Sequence, residues 1–376
     1  MIDRFPYLHR IISISDIHFG ALNPVYMYNN LQEQFVNRIA KVDFDILAIC
    51  GDLFEGRYMS NNPIVSYALS FIDNLVNLCK IKQATLVLLE GTPGHDNGQF
   101  KLFYHYLADP TVDVRVVENP QFEWIQNMRV LCIPEKYGLS EDLYKQLLFG
   151  SGAYDMCLMH GTFRGSFKGS EISTLDNIKS PIFSISHFCN CLGPILMGHY
   201  HISGCYESYA YYHGSTFRYQ FGEEQEKGFL ATIYDQISRY HLTRLIPFIS
   251  QKYITININD LINEDPKKII EYIKRYKETH GIDFIRVQYN TVTDNINITK
   301  QYFRTNQNVV MQELDKKART LKQIDQTLAE HNAQYGYIAD PELDDYTKFV
   351  MYVNQQEKSE FITVEDLISI LEAKIQ

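Results

Sequence analysis

The chain has 376 residues, enough for two domains or for one large domain with an appendage. Its 45% hydrophobic and 21% charged residues are ordinary for a globular protein, and its formal net charge of −10 argues against a generally basic nucleic-acid binder. We see no apolar stretch that approaches the length needed to cross a bilayer, and the N-terminal residues lack a signal-peptide pattern. We therefore expect a cytoplasmic protein, in the host cytoplasm if the Tyr-, Asn- and Ile-rich sequence is viral.

The cysteines predict buried free thiols in a reducing compartment rather than a disulfide framework or a zinc ribbon. Several lie inside strand-like apolar runs, and none forms a CxxC pair. The seven are Cys50, Cys79, Cys132, Cys157, Cys189, Cys191 and Cys205.

Short apolar runs alternate with helix-like segments over the first 250 residues. The runs lie at 11–16, 44–52, 84–91, 130–135, 155–161 and 193–199. Between the second and third runs, Val65, Leu69 and Ile72 recur at helical spacing and predict a helix over 63–80. This alternation predicts an α/β domain over 1–250 whose sheet is mostly buried, and further runs after residue 205 predict antiparallel strands that close it.

A second, smaller unit is predicted over 251–312. A strand in "YITININ" precedes a helix with Asp265 at its N-cap, Pro266 at its first position and Gly281 just past its end. The strand "DFIRVQYN" follows.

The last stretch, 313–376, is predicted to be helical. Leu367, Ile370 and Leu371 share one face there, and this face either packs on the domain or docks a partner.

Several strand-like runs end in residues that can bind a metal ion. In an open α/β sheet, sites form beyond the carboxyl ends of strands, so these side chains should gather at one crevice. Each one alone is equally typical of a turn or a rim histidine, but the ordered set favours a functional site. The candidates are Asp16, His18, Asp52, His95, His160, His199 and His201. Asp16 and His18, two apart, should point to one face if the strand extends that far.

The types of donor atom narrow the choice of metal ion. Carboxylate and imidazole without thiolate favour Mn²⁺, Fe²⁺ or Zn²⁺ over a structural zinc site or a calcium cage. More ligands are present than one ion needs, which predicts two ions bridged by a carboxylate. Metal pairs about 3.5–4 Å apart suit phosphoester hydrolysis.

The order of these motifs resembles that of the calcineurin-like metallophosphoesterases over about residues 11–245. The stretch "YYHGSTFRYQFGEEQEKGFL" at 211–230 is similar to the SbcD-type nuclease subunits of double-strand-break repair complexes. The resemblance implies a two-sheet sandwich flanked by helices, with a capping domain after residue 250.

The resemblance also implies a role for each candidate. Asp16, His18, Asp52 and His201 would hold one Mn²⁺, and Asp52 would bridge to a second ion. His160 and His199 would hold that second ion. His95 would protonate the leaving oxygen or orient the scissile phosphate, because imidazole titrates near working pH.

Two positions depart from the family pattern. The family places an asparagine ligand of the second metal directly before the histidine of "GTPGHD", where this chain has Gly94. A backbone carbonyl, a water or Asn97 must then replace it, or the second ion binds weakly. Glu55 stands where a second histidine is common, and it would repel a phosphate unless it pairs with Arg57.

The implied activity is a DNA nuclease, a double-strand exonuclease and single-strand endonuclease, that works as a homodimer with an SbcC-type coiled-coil ATPase. Any ATP dependence would come from that partner, because the chain has no phosphate-binding GxxxxGK loop. We take residues 341–376 as the candidate docking segment.

Candidate contacts with the DNA backbone lie on the basic helix of the second unit, although a solvated helix face is equally typical of each: Lys267, Lys268, Lys274, Arg275 and Lys277.

Two other interpretations stay open. The same metal chemistry would serve a phosphatase or a cyclic-nucleotide phosphodiesterase, against which the second unit and the docking segment argue. Alternatively, the chain is a non-catalytic or partner-activated DNA-binding or regulatory subunit. Gly94 and Glu55 support that interpretation, and the retained histidines argue against it.

Overall fold

The computed structural model describes residues 7–96, 98–163, 182–219, 221–249, 251–306 and 308–314. These residues form a mixed α/β structure, which confirms the predicted class. The predicted helical segment over 313–376 lies outside the described residues, apart from Glu313 and Leu314.

The first fourteen strands lie between residues 8 and 247 and build two large sheets and one short strand pair. They are β1 (Leu8–Ile14), β2 (Ile46–Cys50), β3 (Thr85–Leu89), β4 (Asp113–Val117), β5 (Gln121–Ile125), β6 (Met128–Ile133), β7 (Met156–His160), β8 (Thr162–Phe163), β9 (Ile182–Phe183), β10 (Ile195–Gly198), β11 (Gly204–Tyr206), β12 (Ala210–Tyr212), β13 (Gly228–Asp235) and β14 (His241–Pro247). The short strands β8 and β9 pair only with each other.

One sheet has the order β14-β13-β1-β2-β3-β4 and the other the order β11-β12-β10-β7-β6-β5. Strands β1 to β4 run parallel; β13 pairs antiparallel with β1, and β14 pairs antiparallel with β13, as predicted. In the second sheet β6, β7, β10 and β12 run parallel. Each sheet therefore presents several parallel strand ends at one edge.

The two sheets face each other across a shared core, as β2 illustrates. Ile46, Ala48 and Cys50 point into a buried cluster that also contains Val130 and Leu158 of the second sheet. The alternate residues of β2 join the helices on the opposite face. Because both faces are covered, the strand reads as one continuous apolar run.

The helices are α1 (Pro24–Leu31), α2 (Asn37–Ile39), α3 (Pro63–Lys82), α4 (Glu141–Lys145), α5 (Pro266–Thr279) and α6 (Asp294–Phe303), and a π-helical turn, Gln32–Val36, joins α1 to α2. Among the described residues, α3 alone is long and apolar enough to span a membrane by length and composition, with a mean hydropathy of 1.3. The expectation that no stretch reaches that length was therefore wrong. Val65, Phe71 and Leu75 of α3 are buried in the core, and a buried core helix passes the same test.

The cysteines are all free. Cys50, Cys79, Cys132 and Cys157 are buried, as expected of thiols inside strands and helices. Cys189 and Cys205 are exposed, so the prediction of buried thiols holds only in part.

A separate parallel sheet, β15-β16-β17, comprises Tyr253–Asn257, Phe284–Tyr289 and Val309–Glu313. It has its own buried cluster with α5 and α6, which includes Ile273, Ile285 and Ile296. Asp265 caps α5 by accepting a hydrogen bond from the backbone N–H of Lys267 at 2.8 Å, as predicted. The boundaries 1–250, 251–312 and 313–376 stay a prediction.

Candidate metal centre

The candidate ligands lie on sharp backbone turns beyond the strand ends. Strand β1 ends at Ile14, and the backbone is left-handed at Asp16 (φ 52°) and at His18 (φ 50°). The strand therefore does not extend to these residues, which was the condition for their sharing one face, although both side chains reach the site. Asp52 (φ 50°) also adopts this conformation, which is costly for a residue with a side chain and concentrates at functional sites.

The turns are held by pairing between neighbouring loops. The N–H groups of Asp16 and His18 donate to the carbonyls of Gly51 and Asp52 at 3.1 and 3.0 Å. The N–H of His199 donates to both carboxylate oxygens of Asp16, at 3.0 and 3.2 Å. These contacts bring the ends of β1, β2 and β10 to one place.

Four overlapping groups of side chains have ligand atoms that all lie within 4.8 Å of one another and can hold a metal ion. They are Asp16, His18 and His201; Asp16, Asp52 and His160; Glu135, His160 and His199; and His18, Glu55 and His95. The structure thus brings all seven predicted residues together and adds two glutamates.

Oxygen atoms behind two of the imidazoles fix their tautomers. Glu223 Oε1 lies 2.9 Å from His201 Nδ1, and the carbonyl of Cys50 lies 2.7 Å from His160 Nδ1. Each oxygen requires a proton on Nδ1, which leaves the Nε2 lone pair directed into the site, as in metal-ligating histidines. Glu55 Oε2 lies 2.9 Å from His18 Nδ1 and forms an ion-pair contact with it.

The resulting arrangement fits a cation. The Nε2 atoms of His18 and His201 face each other at 3.1 Å, so two lone pairs would meet unless a positive charge lies near them. Asp16 and Asp52 are 0% and 3% exposed, and buried carboxylates need a compensating cation. The donor set of carboxylate and imidazole therefore suits a divalent transition metal, without showing which one.

The pKa values of the site reflect the same crowding of charge. Burial would raise the pKa of Asp52, but attraction to His160 and His18 outweighs it and holds that pKa well below its usual value. Burial would lower the pKa of His160, yet Asp52 raises it to about 10. In the metal-free protein, a proton on His160 thus supplies positive charge that a metal would bring.

Asp96, the neighbour of His95, has a structural role. It is fully buried and accepts hydrogen bonds from the N–H groups of Leu53, Phe54 and Gly91 at 2.9 to 3.3 Å. Burial and the nearby charge of Asp52 raise its pKa to about 7. It ties the loop after β2 to the turn after β3 and so positions His95.

The two departures from the family pattern have structural counterparts. Gly94 is exposed and Asn97 lies outside the described residues. Glu55 Oε2 lies 2.9 Å from His18 Nδ1, which places its charge beside a candidate ligand.

Sequence reasoning missed Glu135, which lies two residues past β6. The run "VLCIPE" ends in this residue just as the other runs end in their ligands, so the signal was present. It also missed Thr92, whose N–H donates to Asp52 Oδ1 at 2.6 Å, and Glu223, the acceptor behind His201.

The basic residues predicted to contact DNA lie on α5. Lys267, Lys268, Lys274 and Arg275 are exposed and Lys277 is half-buried. Lys268 pairs with Glu264 at 3.0 Å, and Lys274 lies over the ring of Tyr302, 4.7 Å from its centroid.

Neither a family model nor a curated protein matches the chain. One solved structure covers 64% of this chain and 99% of its own at 13% identity, with a TM-score of 0.39. A cold-active protein-tyrosine phosphatase of the psychrophile Shewanella sp. covers 62% of this chain and 80% of its own at 12% identity, with a TM-score of 0.28. Likenesses this low carry no argument about function.

Proposed function

We propose that the chain is a metal-dependent DNA nuclease that hydrolyses phosphodiester bonds at a dinuclear manganese site. The observation that carries the proposal is the convergence of carboxylates and imidazoles at the strand ends of two facing sheets. We further propose that these sheets form the two-sheet sandwich of the calcineurin-like metallophosphoesterases.

The ligands divide into two sets that share Asp52. Asp16, His18 and His201 hold one ion together with Asp52, and His160 and His199 hold the other. Two bound divalent ions would supply a water-derived nucleophile and neutralise the charge that develops on the phosphate.

His95 is placed to act on the substrate. Its ring lies edge-on to His18 with centroids 4.8 Å apart, and its Nδ1 donates to the carbonyl of Glu55 at 2.5 Å. This bond leaves Nε2 as the atom that faces the substrate. A proton at Nε2 would be given to the leaving oxygen, and the same N–H would orient the scissile phosphate.

The choice of DNA over a small phosphoester is supported by the second unit. The exposed cations of α5 offer contacts to the backbone of DNA that do not depend on base sequence. A homodimer and an SbcC-type ATPase partner complete the proposal, with the cytoplasm as its location.

The proposal is tested with end-labelled double-stranded and single-stranded DNA, a chromogenic phosphomonoester and a cyclic nucleotide, each with Mn²⁺ or Mg²⁺. We expect Mn²⁺-dependent degradation of DNA that Asp52→Ala abolishes. His95→Gln should lower kcat by about 10²- to 10⁴-fold, the usual contribution of a general acid, without changing Mn²⁺ binding. Hydrolysis of the small esters alone would make the chain a phosphatase or a cyclic-nucleotide phosphodiesterase, and Mn²⁺ binding without any hydrolysis would favour the non-catalytic or partner-activated subunit.

A further inference from the structure

We propose that Glu135 is a ligand of the second metal ion and supplies the oxygen that Gly94 cannot. The inference rests on the dinuclear site of the proposed function, but it concerns which side chain completes that site. The first evidence is position: Glu135 lies two residues past β6, and its ligand atom groups with those of His160 and His199.

The distances are those of neighbouring ligands around one ion. Glu135 Oε2 lies 3.0 Å from His199 Nδ1 and 3.8 Å from His160 Nε2. Asp52 Oδ2 lies 3.2 Å from that same His160 Nε2. Metal–ligand bonds of about 2.0–2.2 Å place adjacent donors about 3.0–3.7 Å apart; two of the distances lie in this range and the third, 3.8 Å, lies just above it, so a small adjustment would seat an ion among these atoms.

Glu135 shares one contact with Glu223 and adds another. Glu223 contacts His201 Nδ1 and is also bound by Lys227, so its charge is compensated away from the ligand atoms. Glu135 likewise contacts one Nδ1, that of His199, but it also faces His160 Nε2, the nitrogen that is free to bind a metal because Nδ1 donates to the carbonyl of Cys50.

The charge of Glu135 has no fixed cationic partner in the part of the chain that the structure describes. It is 3% exposed and its ion-pairing contacts are the imidazoles of His160 and His199. A buried carboxylate in this position requires a cation, which a metal ion would provide.

Thr92 holds this arrangement together. Its hydroxyl lies 3.1 Å from Asp52 Oδ2, 3.4 Å from Glu135 Oε2 and 3.3 Å from His160 Nε2. The turn "GTPGHD" thus places a hydroxyl among the ligands of the second ion, while the carboxylate comes from the other sheet.

The test is a titration of the full chain with Mn²⁺, in which electron paramagnetic resonance distinguishes free from bound Mn²⁺. Glu135→Ala and Glu135→Gln are compared with Glu90→Gln, which alters a buried carboxylate that accepts from the N–H of Gly98 and pairs with Lys136. The unaltered protein and Glu90→Gln should bind two ions. In Glu135→Ala the Kd of the second ion should rise more than about 100-fold, beyond the cost of losing a residue that only orients a ligand.

Glu135→Gln serves if the alanine variant does not fold, as judged by circular dichroism. Its amide oxygen is a weaker, neutral ligand, so we expect the second Kd to rise at least tenfold. An unchanged two-ion titration in either folded variant overturns the inference, as does an equal loss in Glu90→Gln or a single ion in the unaltered protein. Loss of the second ion in a protein that cuts no DNA would uphold Glu135 and refute the nuclease.

Discussion

His213 is a buried histidine that sits outside the ligand set. Its Nδ1 donates to the carbonyl of Met197 and its Nε2 accepts from the hydroxyl of Ser13, both at 2.7 Å. Burial lowers its pKa from 6.5 to about 4. The side chain is therefore neutral in the folded protein at working pH and joins the two sheets just below the site.

This histidine predicts a pH dependence of stability. The unfolded chain takes up a proton below pH 6.5 and the folded protein only near pH 4, so the free energy of unfolding should fall as pH drops through this window. The loss amounts to about 3 kcal/mol. Urea unfolding of the metal-free protein between pH 7 and pH 4 should show this slope relative to His213→Gln, which cannot titrate. Parallel curves for the two proteins would contradict the assignment.

The ligand histidines should oppose this trend. Burial alone would lower the pKa of His199, but Glu135 raises it, and Glu55 has the same effect on His18. Groups whose folded pKa is raised contribute stability at low pH that is lost as pH rises through the folded pKa. For this reason the contribution of His213 is measured as the difference in the pH dependence of the free energy of unfolding between the unaltered protein and His213→Gln.

At the scale of elements, the close approach of strand ends depends on small residues. Gly198 ends β10 and pairs with His160 at the end of β7. A Cβ atom at Gly198 would lie 1.9 Å from Ser15 Oγ, 2.3 Å from the carbonyl of Cys50 and 2.5 Å from His160 Nδ1. The two sheets can meet here only because the side chain is absent.

Gly198→Ala should therefore lower the free energy of unfolding by about 2–3 kcal/mol, the usual cost of overpacking, and weaken Mn²⁺ binding by displacing His160. Gly94→Ala is the matched control, since a Cβ there meets nothing within 4 Å. It should change the stability by no more than about 0.5 kcal/mol. Urea unfolding and Mn²⁺ titration measure both effects. Equal behaviour of the two variants would show that the site tolerates the added methyl group.

The sequence predicts the strands and helices better than it predicts how the ends of the strands come together at the candidate site. The run "FDILAIC" predicts a buried strand because a strand covered on both faces has a continuous apolar sequence. The N-terminus of α5 is also predictable, because Asp265 and Pro266 act on the residues next to them. The left-handed backbone at Asp16 and His18 could not be predicted. It arises from hydrogen bonds with the loop after β2, which is distant in sequence.

Dependence on contacts that are distant in sequence also explains why Glu135 was not predicted as a ligand. Glu135 ends its run as the other candidates end theirs, but that position alone does not distinguish a ligand from a turn residue, and its role becomes visible only where the second sheet faces the first. The predicted ligands were recognisable because their types and order formed a pattern. Their donor distances, and the acceptors behind their rings, required the structure.

At the scale of the whole molecule, the second unit contacts residues 221–224, a stretch whose Glu223 contacts His201. Arg286 lies over the ring of Phe221, 4.5 Å from its centroid, and the N–H of Thr255 donates to Glu224 Oε1 at 3.2 Å. Glu223, beside these residues in sequence, accepts from His201. The small sheet and the candidate metal centre are thus linked through one short stretch of chain, residues 221–224.

The central claim is that two metal ions share Asp52, and anomalous diffraction at the manganese edge from crystals soaked in Mn²⁺ tests it most directly. We expect two peaks about 3.5–4 Å apart, one beside Asp16 and His201 and the other beside Glu135 and His199. A single peak, or peaks away from Asp52, would contradict the account.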